Sequence, residues 1–299
     1  MVKIKLSILV VTYNQEKYIQ QCLDSILKQQ VDFEYEVIIG DDCSTDNTAS
    51  ICALYAAKYN NFHVYHHPKN LGHVGNWEFC LNHCHGEYIA ILEGDDYWLD
   101  AHKLQKQVDH LDTHPEVALT VTNIKPVYEQ GAIRCSFEFE TMEEHTWKRD
   151  EVCGKGWYIL SSSSMFRNVF QNFVFPTEIH IADSYLFPYL LDVTTGLTYV
   201  FPEQMTAYRQ HPNNVSAKSS LSGDIRLADQ YRFLSKRFIW EKEGCKRSED
   251  MYLTRLSRAI FPGFLKYRWR YLLFHPNKLF SRYIIKTIMD WIKYIKKTY

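Results

Sequence analysis

The residues with the most chemistry in them are Glu93, Asp95 and Asp96, three carboxylates gathered around Gly94 where the apolar run Tyr88-Ile89-Ala90-Ile91-Leu92 ends. A buried strand that delivers several acids to its open end leaves them close together, and their repulsion has to be offset. A hard divalent cation whose other ligands are phosphate oxygens does this well, so the spacing points to a metal and phosphate site. An acidic turn that caps the next helix uses the same residue types, and on this segment alone the two readings stand level.

The elements that must position those acids are legible upstream. Leu6-Ser7-Ile8-Leu9-Val10-Val11-Thr12 reads as a strand, and Tyr18, Ile19, Cys22, Leu23, Ile26 and Leu27 make a helical stripe between Gln15 and Gln30. Tyr35 to Gly40 reads as a second strand, followed by the polar turn Asp41-Asp42-Cys43-Ser44-Thr45-Asp46-Asn47-Thr48. A helix over about 48–59, a strand over 62–66 and a helix over about 76–83 lead to the strand ending at Glu93. This alternation predicts an α/β fold with a mostly parallel sheet flanked by helices, its ligands at the carboxyl ends of the strands. The loop Thr12 to Glu16, the Asp41-Asp42 turn and the Glu93 to Asp96 turn should therefore converge. A dinucleotide site would need Gly-x-Gly-x-x-Gly after the first strand, and Thr12-Tyr13-Asn14-Gln15-Glu16 contains no glycine. The lysine of a P-loop is missing as well, which returns the handling of phosphate charge to a metal.

In order along the chain, Ser7 to Asn14, Ile39 to Thr48, Asn70-Leu71-Gly72 and Gly86 to Trp98 resemble the family 2 glycosyltransferases, enzymes of the GT-A fold. The resemblance runs from residue 5 to about residue 215 and implies transfer of a sugar from a nucleoside-diphosphate donor, with UDP as the expected carrier and inversion at the anomeric carbon. It implies that Thr12, Tyr13, Asn14 and Glu16 wall the base and ribose and that Asp42 accepts from the N3–H of uracil, a donor suited to a carboxylate. A helix-capping turn is the competing reading of Asp41 and Asp42. The family's metal motif is usually Asp-x-Asp, whereas this chain has Glu93-Gly94-Asp95 and then Asp96. Asp95 and Asp96 are the expected ligands of Mn²⁺ or Mg²⁺, with Glu93 a ligand through water or a contact to the sugar or ribose.

Further along, Asp183 lies among apolar and aromatic neighbours in Ile179-His180-Ile181-Ala182-Asp183-Ser184-Tyr185. The resembling enzymes carry their general base here, an Asp opening a helix, which makes Asp183 the expected acceptor of the proton from the attacking hydroxyl; a plain helix cap is the other reading. Tyr208-Arg209-Gln210-His211 matches the family's Tyr-Arg-x-His element, with Arg209 and His211 expected as a flexible wall over the diphosphate. No period is legible from Asn123 to Asp150.

With 299 residues, 46% of them hydrophobic, the chain is near the upper size of one domain. The expected division is a transferase domain over 1–220, with its nucleotide-sugar half at 1–100 and its acceptor half at 101–220, and a helical extension over 221–299. Eight scattered cysteines without a Cys-x-x-Cys pair, and no secretory signal, favour a cytoplasmic setting. The net charge of −1 hides an asymmetry: residues 252–299 carry 11 Lys or Arg and one acid. Over 279–299, Arg282, Lys286, Lys293 and Lys297 fall on one helical face and Phe280, Ile284, Ile288, Trp291 and Ile295 on another. Such a basic amphipathic helix suits peripheral docking on an anionic membrane, where a lipid-linked saccharide acceptor would be met; packing on the catalytic domain or in a homodimer is the other reading. No nucleic-acid module surrounds the basic residues. Two further functions stay open, a nucleotide-sugar-binding protein without turnover and a metal-dependent nucleotidyl or phosphoryl transferase.

Overall fold

Strands β1 (Leu6–Thr12), β2 (Tyr35–Asp41), β3 (Phe62–His66) and β4 (Tyr88–Glu93) lie parallel in the order β3-β2-β1-β4, with β1 buried along its whole length. A strand covered on both faces has to be apolar at every position, which is why β1 reads as a continuous hydrophobic run rather than an alternating one. The structure is a computed structural model and describes residues 3–132, 143–154, 159–194, 196–212, 214 and 221–260.

Helices α1 (Ile19–Leu27), α2 (Thr48–Lys58), α3 (Gly72–Asn82) and α4 (Lys103–Thr113) flank this half. Successive side chains of a strand point to opposite faces, so β1 feeds two cores. Leu6, Ile8 and Val10 pack with Leu23 and Ile26 of α1 and Leu104 and Val108 of α4. Leu9 and Val11 pack instead with Trp77 and Leu81 of α3.

Beyond β4 the sheet continues through β8 (Met165–Arg167), β6 (Val117–Tyr128) and β9 (Leu197–Gln210) to β5 (Tyr97–Trp98), with β7 (His145–Trp147) also paired to β9. β6 and β9 are parallel to each other, whereas β8, β5 and β7 are antiparallel to their neighbours. Helices α5 (Arg149–Gly154), α6 (Asp183–Val193), α7 (Leu221–Arg237) and α8 (Lys242–Ile260) complete the described elements. Leu186, Phe187 and Leu190 of α6 join the core face that holds Leu9 and Ile91, and so do Leu234, Phe238 and Cys245 from the C-terminal helices. The extension expected after residue 220 therefore begins inside the same core as the sheet.

Three boundaries differ from the sequence pattern. α1 starts at Ile19 rather than near Gln15, because the backbone of 14–16 is used to bridge to the next turn. α3 starts at Gly72 rather than near Asn76, because the Asp42 carboxylate accepts the N–H groups of Leu71 and Gly72 at its first turn. The unassigned segment after Asn123 continues β6 to Tyr128, paired with β9, where burial on both faces gives way to exposed and half-buried positions after Ile124 and leaves no single period. No helix among the described residues is long and apolar enough to cross a membrane. The basic and aromatic faces of 279–299 lie outside the described residues.

Candidate active site

Sheet register brings the three loops together. Thr12 is opposite Asp41 and Val11 is opposite Glu93, so β1, β2 and β4 end side by side. The first loop is tied to the second: Asn14, held at φ 52°, donates its N–H to Ser44 Oγ at 2.9 Å and accepts the Thr45 N–H at 2.8 Å. Glu16 accepts from the Asn47 backbone and side-chain nitrogens at 3.1 and 2.8 Å. Asn14 and Glu16 thus tie the first loop to the second, while Tyr13 is 47% exposed. Thr12 is buried and its hydroxyl pairs with Gln15 Oε1 at 2.8 Å. Gly94 is required there, since a Cβ on it would come within 2.4 Å of Gln15 Oε1 and 2.9 Å of Thr12 Oγ1.

Both acids of the second turn are buried. Asp41 accepts from the Ser44 hydroxyl and pairs with His66 Nδ1. Asp42 takes the Leu71 N–H at 2.6 Å and the Gly72 N–H at 3.0 Å, with Gly72 at φ +78° to allow the approach. It therefore caps α3, and since an ionised carboxylate offers about four acceptor sites, two remain for an imide N–H.

The third turn holds the charge. Asp95 is 8% exposed and its Oδ2 lies 3.0 Å from His211 Nε2. Asp96 is 2% exposed; one oxygen accepts the Ser162 hydroxyl at 2.5 Å and the other the Arg209 N–H at 2.9 Å. Asp96 thus fastens the turn to β9 and, with one bond on each oxygen, keeps acceptor capacity as Asp42 does. Burial, and then the charges of Asp95, Asp96 and Asp183, push the Glu93 carboxyl well above its usual range, against a hydrogen bond with Ser161. Asp96 is pushed up by burial and by Asp95, against its bonds to Ser162 and Arg209.

Asp183 is the first residue of α6, and the cap position itself is Ala182. Its Oδ2 accepts from Ser161 Oγ at 3.4 Å, and the next residue, Ser162, accepts the Glu93 N–H at 3.1 Å. Two adjacent serines thus hold the strand-end acid and the helix-opening acid, which are close enough for the charge of Asp183 to act on Glu93.

Arg209 and His211 do not form a loose wall. Arg209 is 8% exposed, and its guanidinium donates to the Asp95 carbonyl at 2.8 Å, Glu129 at 3.2 Å and Gln21 at 2.6 Å, with its centre 4.8 Å from the Tyr18 ring. Tyr18 in turn donates to Glu129 at 2.8 Å; burial and that carboxylate push its phenol up to about 12, so it stays a donor. His211 lies against the Tyr18 ring at 4.7 Å. The pair braces the Asp95-Asp96 turn from behind by charge-assisted hydrogen bonds.

Among the described residues no group of three His, Cys, Asp or Glu side chains has the arrangement of a metal centre. The donor set nevertheless fits a cation completed by phosphate oxygens. Glu93, Asp95 and Asp183 share one electrostatic neighbourhood. Mg²⁺ or Mn²⁺ uses one or two carboxylates plus substrate phosphates rather than an all-protein cage.

Sequence reasoning assigned no role to Ser161, Ser162 or Glu129. The signal for the first two was the run Ser161-Ser162-Ser163-Ser164, four small hydroxyl residues before a short strand. Ser162 alone accepts the Glu93 N–H at 3.1 Å, donates to Asp96 and receives Trp98 Nε1 on its carbonyl at 2.9 Å.

An uncharacterized protein of Mycobacterium tuberculosis is 36% identical over 214 residues, which are 70% of this chain and 60% of that protein. The poly(ribitol-phosphate) β-N-acetylglucosaminyltransferase TarS of Staphylococcus aureus is 33% identical over 190 residues, 61% of this chain and 31% of that protein. The chain thus spans less than two thirds of the length of these curated relatives. In fold it is similar to residues 1–349 of Staphylococcus aureus TarS in complex with UDP-GlcNAc, with a TM-score of 0.62 at 22% identity over 87% of this chain and 73% of that one. A mannosyltransferase of Pyrobaculum calidifontis in complex with GDP-Man and Mn²⁺ gives a TM-score of 0.57 at 16% identity over 95% of this chain and 83% of that one. The model of the family "Glycosyl transferase family 2" matches residues 7–183, from the first strand to the acid that opens α6. That match takes in more than half of the sequence, and the chain belongs to glycosyl transferase family 2.

Proposed function

We propose that this chain transfers a sugar from a UDP-sugar to a hydroxyl of a saccharide or lipid-linked saccharide, with inversion, in the assembly of a surface polysaccharide. The observation that carries the reading is that Ser161 donates to Asp183 while its neighbour Ser162 accepts the Glu93 N–H, so the acids of the two halves stand at one crevice. Asp183 follows the cap position of α6 rather than occupying it, and transfer needs a base at that end of the crevice. The name of the Staphylococcus aureus relative and its structure with UDP-GlcNAc support UDP-N-acetylglucosamine as the first donor to try.

In this reading the loop Thr12 to Glu16 and the Asp42 turn hold the base and ribose, and Asp95 and Asp96, with Glu93 beside them, would hold a divalent cation. That cation would offset charge on the departing diphosphate. Asp183 accepts the proton of the acceptor hydroxyl as that oxygen bonds to the anomeric carbon. The anomeric carbon–oxygen bond to the diphosphate breaks on the opposite face, and its electron pair leaves on UDP. Peripheral membrane docking through 252–299 and a homodimer remain part of the proposal.

The test is a thermal-shift screen of nucleotide sugars with and without Mn²⁺, followed by assay of UDP release. A shift with UDP-sugars that grows with Mn²⁺ is expected. Equal indifference to every nucleotide sugar would remove the reading.

A further inference from the structure

Gln230 sits in the middle of α7, in the part of the chain that follows the family match, and is fully buried. A buried primary amide is costly unless its oxygen and nitrogen are both satisfied. Here they are satisfied by one short segment. The carbonyl oxygen accepts the N–H of His180 at 2.6 Å and the N–H of Ile181 at 3.0 Å, and the amide nitrogen donates to the Ser184 hydroxyl. Ser184, itself buried, donates to the Ile181 carbonyl at 2.6 Å. The two backbone donors fix which end of the amide is oxygen, so the orientation follows from the chemistry of its partners. From the other side, His73 of α3 accepts the Ala182 N–H at 3.4 Å.

The consequence is local and specific. Residues 180, 181, 182 and 184 each have a polar group tied to a side chain of another helix, and the residue they surround is Asp183. The first turn of a helix has no internal partners for its N–H groups and frays when none is supplied. Gln230 acts one step earlier, accepting the N–H groups of the two residues before the cap Ala182 and so fixing the chain where it enters α6, and α7 is itself fixed to α8 through Arg232, which donates to Glu249 at 2.8 Å.

We infer that Gln230 is a positioning residue for the transfer step, holding the N-terminal turn of α6 so that Asp183 faces the attacking hydroxyl, and that α7 is thereby part of the catalytic unit. The inference rests on the reading of Asp183 as the base. Gln230→Met keeps the volume and removes the three hydrogen bonds. In the full chain it should lower kcat for UDP release about 10- to 100-fold, the cost of a misplaced reacting group. The KM for the donor and the affinity for UDP should stay within about twofold, because no donor-binding residue is touched. Amide exchange of 180–186 in the full chain without nucleotide should quicken at least tenfold while that of β1 and β4 is unchanged.

Unchanged exchange at 180–186, or kcat within about twofold of the unsubstituted chain, would overturn the inference. So would parallel losses of kcat and of UDP affinity, which would mark general damage. If Gln230→Met does not fold, Ser184→Ala decides, removing one bond of the set; it should lower kcat severalfold at constant donor KM, and an unaltered kcat would end the matter. Asp183→Asn separates the two layers: normal turnover in that variant removes the base, while its loss with full activity in Gln230→Met removes only the role of Gln230.

Discussion

At the scale of single residues the site is defined by who occupies each carboxylate oxygen. Asp96 has both oxygens on protein donors and serves the turn, whereas Asp95 shares one oxygen with His211. Asp95→Asn should therefore abolish the Mn²⁺-dependent part of the thermal shift produced by UDP, and a full Mn²⁺ response in that variant would take the cation away from Asp95. Asp183→Asn should keep UDP affinity within about twofold and lower turnover on the order of 10² to 10⁴, the usual worth of a general base. Calorimetric titration with UDP and steady-state rates read the two quantities separately. Gly94→Ala meets Thr12, a β-branched residue buried on β1 that cannot move aside, with Cβ and Oγ1 both within 3.0 Å. Overpacking of this kind costs about 1–3 kcal/mol, to be seen as a lower denaturation midpoint at unchanged m-value.

At the scale of elements, α4 carries an unusual first residue. Lys103 is fully buried, donates to Gln107 at 2.6 Å and lies 4.6 Å from the Trp98 ring. Burial lowers its ammonium to about 7 from 10.5, although Asp100 pulls the other way. Below pH 7 the amine is protonated in both folded and unfolded chains, and the cost of burying the charge is fully present. Between about 7 and 10.5 the unfolded chain binds more protons, so stability rises with pH. The slope approaches about 1.4 kcal/mol per pH unit. Lys103→Met should lack that rise, and urea titrations at pH 6 and pH 9 on both proteins measure it. Parallel slopes would mean that Lys103 finds water or an acid when charged.

At the scale of the whole molecule, charge and core divide the chain differently. The core runs on through Leu234, Phe238 and Cys245, well past the family match, while most of the strongly basic stretch follows α8 in sequence. A chain ending after Ile260 should keep the fold and lose binding to vesicles rich in phosphatidylglycerol, whereas the full chain should sediment with them and be released by salt. Equal sedimentation of both would remove the membrane role of the tail.

The amino-acid sequence by itself determined the parallel strands, the order of the loops and the acids at their ends, because strand burial and helix periodicity are written in neighbouring residues. Thr12, Asp41 and Glu93 fall together as the pattern requires, since parallel register follows from three short βα units leading to β4. Only the tertiary structure decided which acid is bound by what. Arg209 reaches Asp96 across 113 residues and Gln230 reaches His180 across 50, through the register of β9 and the seating of α7, and no local pattern encodes either. A carboxylate's role depends on which donors reach it first, and that is a property of packing between distant segments rather than of residue type.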